Sequence, residues 1–134
     1  MAVDGLTTLR SSFASLETMN RLEAAVKAKG MTVFARIDHA AGASGVGLTL
    51  RPTEVMIFGN ARAGTPLMQA RQTIGIDLPL KALVWQDAAG VTWLSYDDPG
   101  WIAKRHGLGG EVEPALNAMT AALAGVAKMA TGSE

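Results

Sequence analysis

No cysteine occurs in the 134 residues, which excludes thiolate catalysis, disulfide bonds and every cysteine-based metal site. An excess of charge is missing too. Twelve Lys and Arg balance twelve Asp and Glu, and no basic run supplies the footprint that a phosphate backbone requires, which argues against a nucleic-acid role. No eighteen consecutive residues are apolar, and the opening MAVDGLTTLRSS lacks the apolar core of a secretory leader. A cytoplasmic protein without a membrane span is therefore expected, the alternative being a leader removed ahead of Met1. The usual catalytic devices are absent as well: there is no Gly-x-Ser-x-Gly elbow, no metal-histidine motif and no nucleotide loop, so no cofactor is expected.

What is present is enough apolar material to fold. Hydrophobic residues make up 49% and charged residues 18%, far from the composition of disordered chains and suited to one core, so residues 1–134 are expected to form a single domain.

The central stretch is Thr53 to Asn60, whose Val-Met-Ile-Phe run is apolar on both faces, as in a strand covered on two sides. Before it, Gly5 to Arg10 reads as a strand, and Leu16, Met19, Leu22 and Val26 recur at helical spacing. Ser12 or Ser15 can cap that helix and Gly30 can end it. Its polar face, including Glu23, Lys27 and Lys29, reads as solvated. Met31 to His39 alternates, with Met31, Val33, Ala35, Ile37 and His39 on one side. Ala40 to Gly47 is small and glycine-dense, a loop or a short turn of helix whose spacing matches no phosphate-binding loop.

Beyond the central strand, Thr65-Pro66 has the form of an N-cap followed by the first helical residue, predicting a helix over 65–74 that Asp77-Leu-Pro79 stops. Leu80–Gln86 and Val91–Tyr96 form a hairpin closed at Gly90. Asp98-Pro99 opens a short helix that ends at Gly107. A last helix, 111–131, carries a stripe of Val112, Leu116, Met119, Leu123, Val126 and Ala130, suited to packing on the body of the domain or on a second subunit. The expected fold is α+β, a single two-layer domain with a mixed sheet of about five strands and helices packed on it, in the order β-α-β-β-α-β-β-α-α.

Several blocks in order resemble a known family. Phe34-Ala-Arg-Ile-Asp-His-Ala-Ala-Gly42, Arg51-Pro-Thr-Glu-Val-Met-Ile-Phe-Gly-Asn60 with Gly64-Thr-Pro-Leu67, Asp77-Leu-Pro-Leu-Lys81 and Ser95-Tyr-Asp-Asp-Pro99 are similar to domain of unknown function 302, over roughly residues 5 to 108. The resemblance implies one two-layer α+β domain, commonly a homodimer, and no agreed reaction.

The same blocks hold most of the unusual polar residues: Asp38, His39, Glu54, Asn60, Thr65, Asp77, Lys81 and Tyr96. Glu54 shares its strand side with Met56 and Phe58, so it needs a partner if covered, and Lys81 or His39 is the natural candidate. His39, Glu54 and Lys81 would then be the groups of a small-molecule acid-base enzyme, the less favoured reading. A metal site on Asp38, His39 and Glu54 is disfavoured because adjacent strand residues point to opposite faces. His106 is explained by its place at a helix C-terminus.

Asn60 and Thr65 bracket a short loop at the C-terminal end of the central strand, where the free amides of a helix start could hold a carboxylate or phosphate, with Lys81 alongside. Glu54 and Asn60 lie about 20 Å apart along extended chain, so they belong to different sites. Asn60 is favoured for binding and Glu54 for a structural charge. Trp85, Trp93 and Trp101 suit core packing or a dimer interface. The leading expectation is a homodimeric module binding a small anionic ligand at the junction of strand 54–60 and helix 65–74 through Asn60, Thr65 and Lys81. A purely structural protein-interaction domain is the third reading.

Overall fold

The apolar periods of the sequence resolve, in a computed structural model that describes residues 2–133, into five strands and five α-helices. In chain order these are β1 (Leu6–Arg10), α1 (Ser15–Ala28), β2 (Thr32–Asp38), α2 (His39–Gly45), β3 (Thr53–Gly59) and α3 (Ala61–Ala70), then β4 (Leu80–Gln86), β5 (Thr92–Asp97), α4 (Pro99–Arg105) and α5 (Glu113–Thr131). Single 3-10 turns occupy Gln72–Ile76 and Gly110–Val112. The sheet runs β1-β5-β4-β3-β2. Where the sequence suggests a mixed sheet, all four neighbouring pairs are antiparallel, because α1 carries the chain from one edge strand to the other instead of returning beside β1.

β3 lies inside the sheet between β2 and β4, but the helices cover only one of its faces, where the sequence suggests two. One face is closed by α1 and α5. Met56 and Phe58 of β3, Ala82 and Val84 of β4 and Leu94 of β5 meet Met19, Leu22 and Val26 of α1 and Met119, Leu123 and Val126 of α5 in one buried cluster. Full burial of each large apolar side chain contributes about 1.5–3 kcal/mol. The stripe on α5 is thus spent on the body of its own domain, mainly against α1.

The other face carries Ile37, Val55, Leu83 and Ser95 in one cross-strand row, with Trp85 opposite Trp93. α1 and α5 leave it uncovered, and Ile37 is 44% exposed.

Three local readings change. The register of β2 slips between Val33 and Ala35, a bulge that pushes Phe34 outward and reverses the alternation. Val33 therefore pairs with Phe58 on the helix side, while Ala35 and Ile37 pair with Ile57 and Val55 on the open side. His39 does not extend the apolar face of β2. Asp38 accepts a hydrogen bond from the Ala41 amide at 2.9 Å, which caps α2 and makes His39 its first, exposed residue. Nor is Thr65 a cap: α3 begins at Ala61, with the Asn60 side chain accepting from Ala63 N at 2.7 Å. Thr65 lies exposed in the middle of the helix and Pro66 within it, since the better-placed Asn60 starts the helix one turn earlier.

At the start of α1, Ala14 holds the N-cap position without a side-chain cap. Ser11 instead meets Thr18 at 2.6 Å. Gly30, at φ +78°, ends the helix as its sequence suggests.

Candidate functional site

The two ends of β3 are built for different work. At the first, Arg36 grips Glu54 with two hydrogen bonds of 3.0 Å, Nε to Oε2 and Nη2 to Oε1. The bulge in β2 creates this pair, because it turns Arg36 onto the side of Glu54. Arg36 Nη1 continues to Glu23 at 3.1 Å and to Asn20 at 2.9 Å on α1. The bonds to Glu54 hold the guanidinium more firmly protonated, against the opposing effect of burial. Glu54 is thus a clamp between sheet and helix, and its partner is neither His39 nor Lys81. Lys81 projects on the open face beside Leu83 and Trp85, reaching the Pro79 carbonyl at 3.4 Å. His39, Glu54 and Lys81 are not brought together. Among the described residues no group of three His, Asp or Glu side chains is arranged to hold a metal ion.

The second end of β3 opens into a cleft of about 520 Å³. Asn60 and the first turns of α3 (Ala63, Gly64, Met68) form one wall, and Leu78 to Leu80 lead into β4 beneath it. α5 closes the opposite side with Ala118, Met119 and Ala122, and Lys29, Met31 and Phe34 form the rim. Small residues on the facing helices make the space: alanine and glycine at these positions leave a gap that larger side chains would fill. Of the fifteen lining residues only Lys29 and Asn60 carry polar side chains. Of the three ligand residues expected, then, Asn60 borders the cleft. Thr65 and Lys81 do not, Lys81 lying across the sheet.

Lys29 is the residue that sequence reading misses. It sits at the C-cap of α1, and its ammonium lies 3.4 Å from where a Cβ on Gly125 of α5 would be. The signal available in the sequence is a lysine next to the helix-ending Gly30, facing an alanine- and glycine-rich final helix.

A third cluster also escapes the sequence. His106, the C-cap of α4, meets Asp77 at 2.5 Å through Nε2 and Thr73 at 3.0 Å through Nδ1, while Arg105 donates to both Asp77 oxygens at 2.9 and 2.8 Å. Burial disfavours the Asp77 carboxylate, but His106 and Arg105 outweigh it and hold its pKa below the ordinary range. The hydroxyl, imidazole and carboxylate stand in a line, and both Asp77 oxygens are engaged within it. The arrangement ties the 3-10 turn after α3 to the end of α4. Tyr96 is pushed up by burial and by Asp98, with the Thr7 hydroxyl opposing.

Trp85 and Trp93 stack on the open face with ring centroids 6.2 Å apart. Trp85 donates to Ser95 and Trp93 to Asp87, each at 2.9 Å. Trp101, on α4, stands apart and 39% exposed.

A family model described as domain of unknown function DUF302 matches residues 7–126, so the likeness runs past residue 108 into α5. Among curated proteins, the fluoride-specific ion channel FluC 1 of Brucella suis biovar 1 is 48% identical over 128 residues, 96% of this chain and 50% of that protein. FluC 1 of Brucella abortus biovar 1 is also 48% identical, over 96% of this chain and 47% of its own length. The chain spans about half the length of the curated relatives it matches. Among the described residues no helix is long and apolar enough to cross a membrane. A crystal structure of an uncharacterized conserved DUF302 protein from Bacillus stearothermophilus superposes with a TM-score of 0.85, covering 96% of this chain and 99% of that one. At 19% identity it speaks for the fold alone.

Proposed function

The chain belongs to the family of domain of unknown function DUF302, and on that premise we propose that it is a homodimeric binding module that takes a small anionic ligand in the cleft at the end of β3. The cleft carries this reading. It is concave, mostly apolar, of the size that holds a small organic molecule, and formed by three separate elements around the capped start of α3. The acid-base alternative has no such support, since its three residues lie apart.

The open sheet face supports the dimer. Apolar side chains that one layer of helices leaves uncovered favour a second surface, and a two-fold axis presents the same row to itself. Lys81 and Asp97 bring opposite charges to that face, so a second copy can match each to the other.

The curated relatives suggest the setting. They are named for a fluoride-specific ion channel, this chain matches about half of their length, and among its own described residues no helix is long and apolar enough to cross a membrane. We place the domain beside such a channel on its cytoplasmic side, as an accessory that senses a ligand.

Native mass spectrometry of the purified chain tests the module directly. The reading expects a two-chain mass, and a ligand mass that disappears when Ala122→Trp fills the cleft. A monomer with no ligand mass under any loading contradicts it.

A further inference from the structure

Resting on the cleft as the ligand site, we propose that its ligand is a monocarboxylate on an apolar body, with Lys29 as the residue that pairs with the carboxylate. The walls set the body. Thirteen of the fifteen lining residues present only apolar side chains or none, and desolvating a compact hydrated anion against them costs more than two polar groups restore. A hydrocarbon chain or ring gains from the same walls.

The two polar side chains set the head. Lys29 has only donors to offer, and it takes part in no ion pair among the described residues. Asn60 uses its Oδ1 to accept from the Ala63 amide, and its side-chain NH2 has no hydrogen-bond partner among the described residues and can serve as a donor. The side chains of the cleft therefore supply donors and one positive charge, with no negative charge to oppose an anion. A ligand amine would meet Lys29 with like charge, and an alcohol would use one donor and leave the charge unmatched. A phosphate monoester, carrying nearly two charges, is best met by the forked guanidinium of arginine, and no arginine lines the cleft. One ammonium and one amide fit one carboxylate.

Isothermal titration calorimetry with octanoate, 1-octanol, inorganic phosphate and fluoride decides the matter. Octanoate is expected to bind more tightly than 1-octanol, and phosphate and fluoride to give no saturable heat. Lys29→Met should weaken octanoate about two- to fivefold, the size of a rim ion pair, and 1-octanol less, and Lys29→Arg should restore most of the loss. Lys29 is exposed at a helix end, so these variants fold as the parent does, which circular dichroism checks. Equal affinity for octanoate and 1-octanol, or no response to Lys29→Met, overturns the carboxylate assignment and leaves the cleft standing. Failure of both octyl compounds to bind, or binding that Ala122→Trp leaves intact, overturns the cleft itself.

Discussion

Arg36 shows how much one side chain can settle. Its guanidinium satisfies Glu54, Glu23 and Asn20 at once, so Arg36→Ala leaves the largely buried Glu54 carboxylate without its partner. A loss of about 1–2 kcal/mol is expected in urea denaturation, against less than about 0.5 kcal/mol for Lys27→Ala on the solvated flank of α1. Asp77 gives a pH signature. Its folded pKa is depressed, so its ionised form contributes stability above the unfolded carboxylate range and loses it as pH falls through the folded value. Asp77→Asn should therefore lower the melting temperature at pH 7, and the gap to the parent should narrow below about pH 4. At this scale the sequence was half legible. It marked Asn60 and the need of Glu54 for a partner. It hid Lys29, because a lysine on a helix reads the same whether it faces water or the rim of a cleft.

Element starts and registers explain the remaining differences. Thr65-Pro66 has the form of a helix start, yet Asn60 holds the cap, so the two residues separate in a simple experiment. Asn60→Ala should cost about 1 kcal/mol, and Thr65→Ala less than about 0.5 kcal/mol, as for an exposed mid-helix side chain. The reverse order in thermal melts would restore Thr65 as the cap. The bulge between Val33 and Ala35 leaves no mark in an alternating sequence, since one extra residue reverses the faces without changing composition. The hairpin and α5 were readable because turn chemistry and helical spacing fix them locally. The antiparallel order of the sheet was not, because it depends on where α1 delivers the chain.

The whole molecule is one helical layer on one sheet, with a cleft on the covered side and an apolar row on the other. On the proposed dimer, Trp85→Glu, placing a charge in that row, should give a monomer in analytical ultracentrifugation without loss of helix content. An unchanged dimer would move the interface elsewhere. The chain spans about half the length of its curated relatives. The central claim is that this cleft is where the ligand sits. Backbone amide NMR of the labelled chain titrated with octanoate tests it most directly. The account predicts shifts centred on Lys29, Met31, Asn60, Ala63, Gly64, Met68 and the Ala118–Ala122 turn; shifts centred on Leu83, Trp85 and Ser95 of the open face, or none at all, would contradict it.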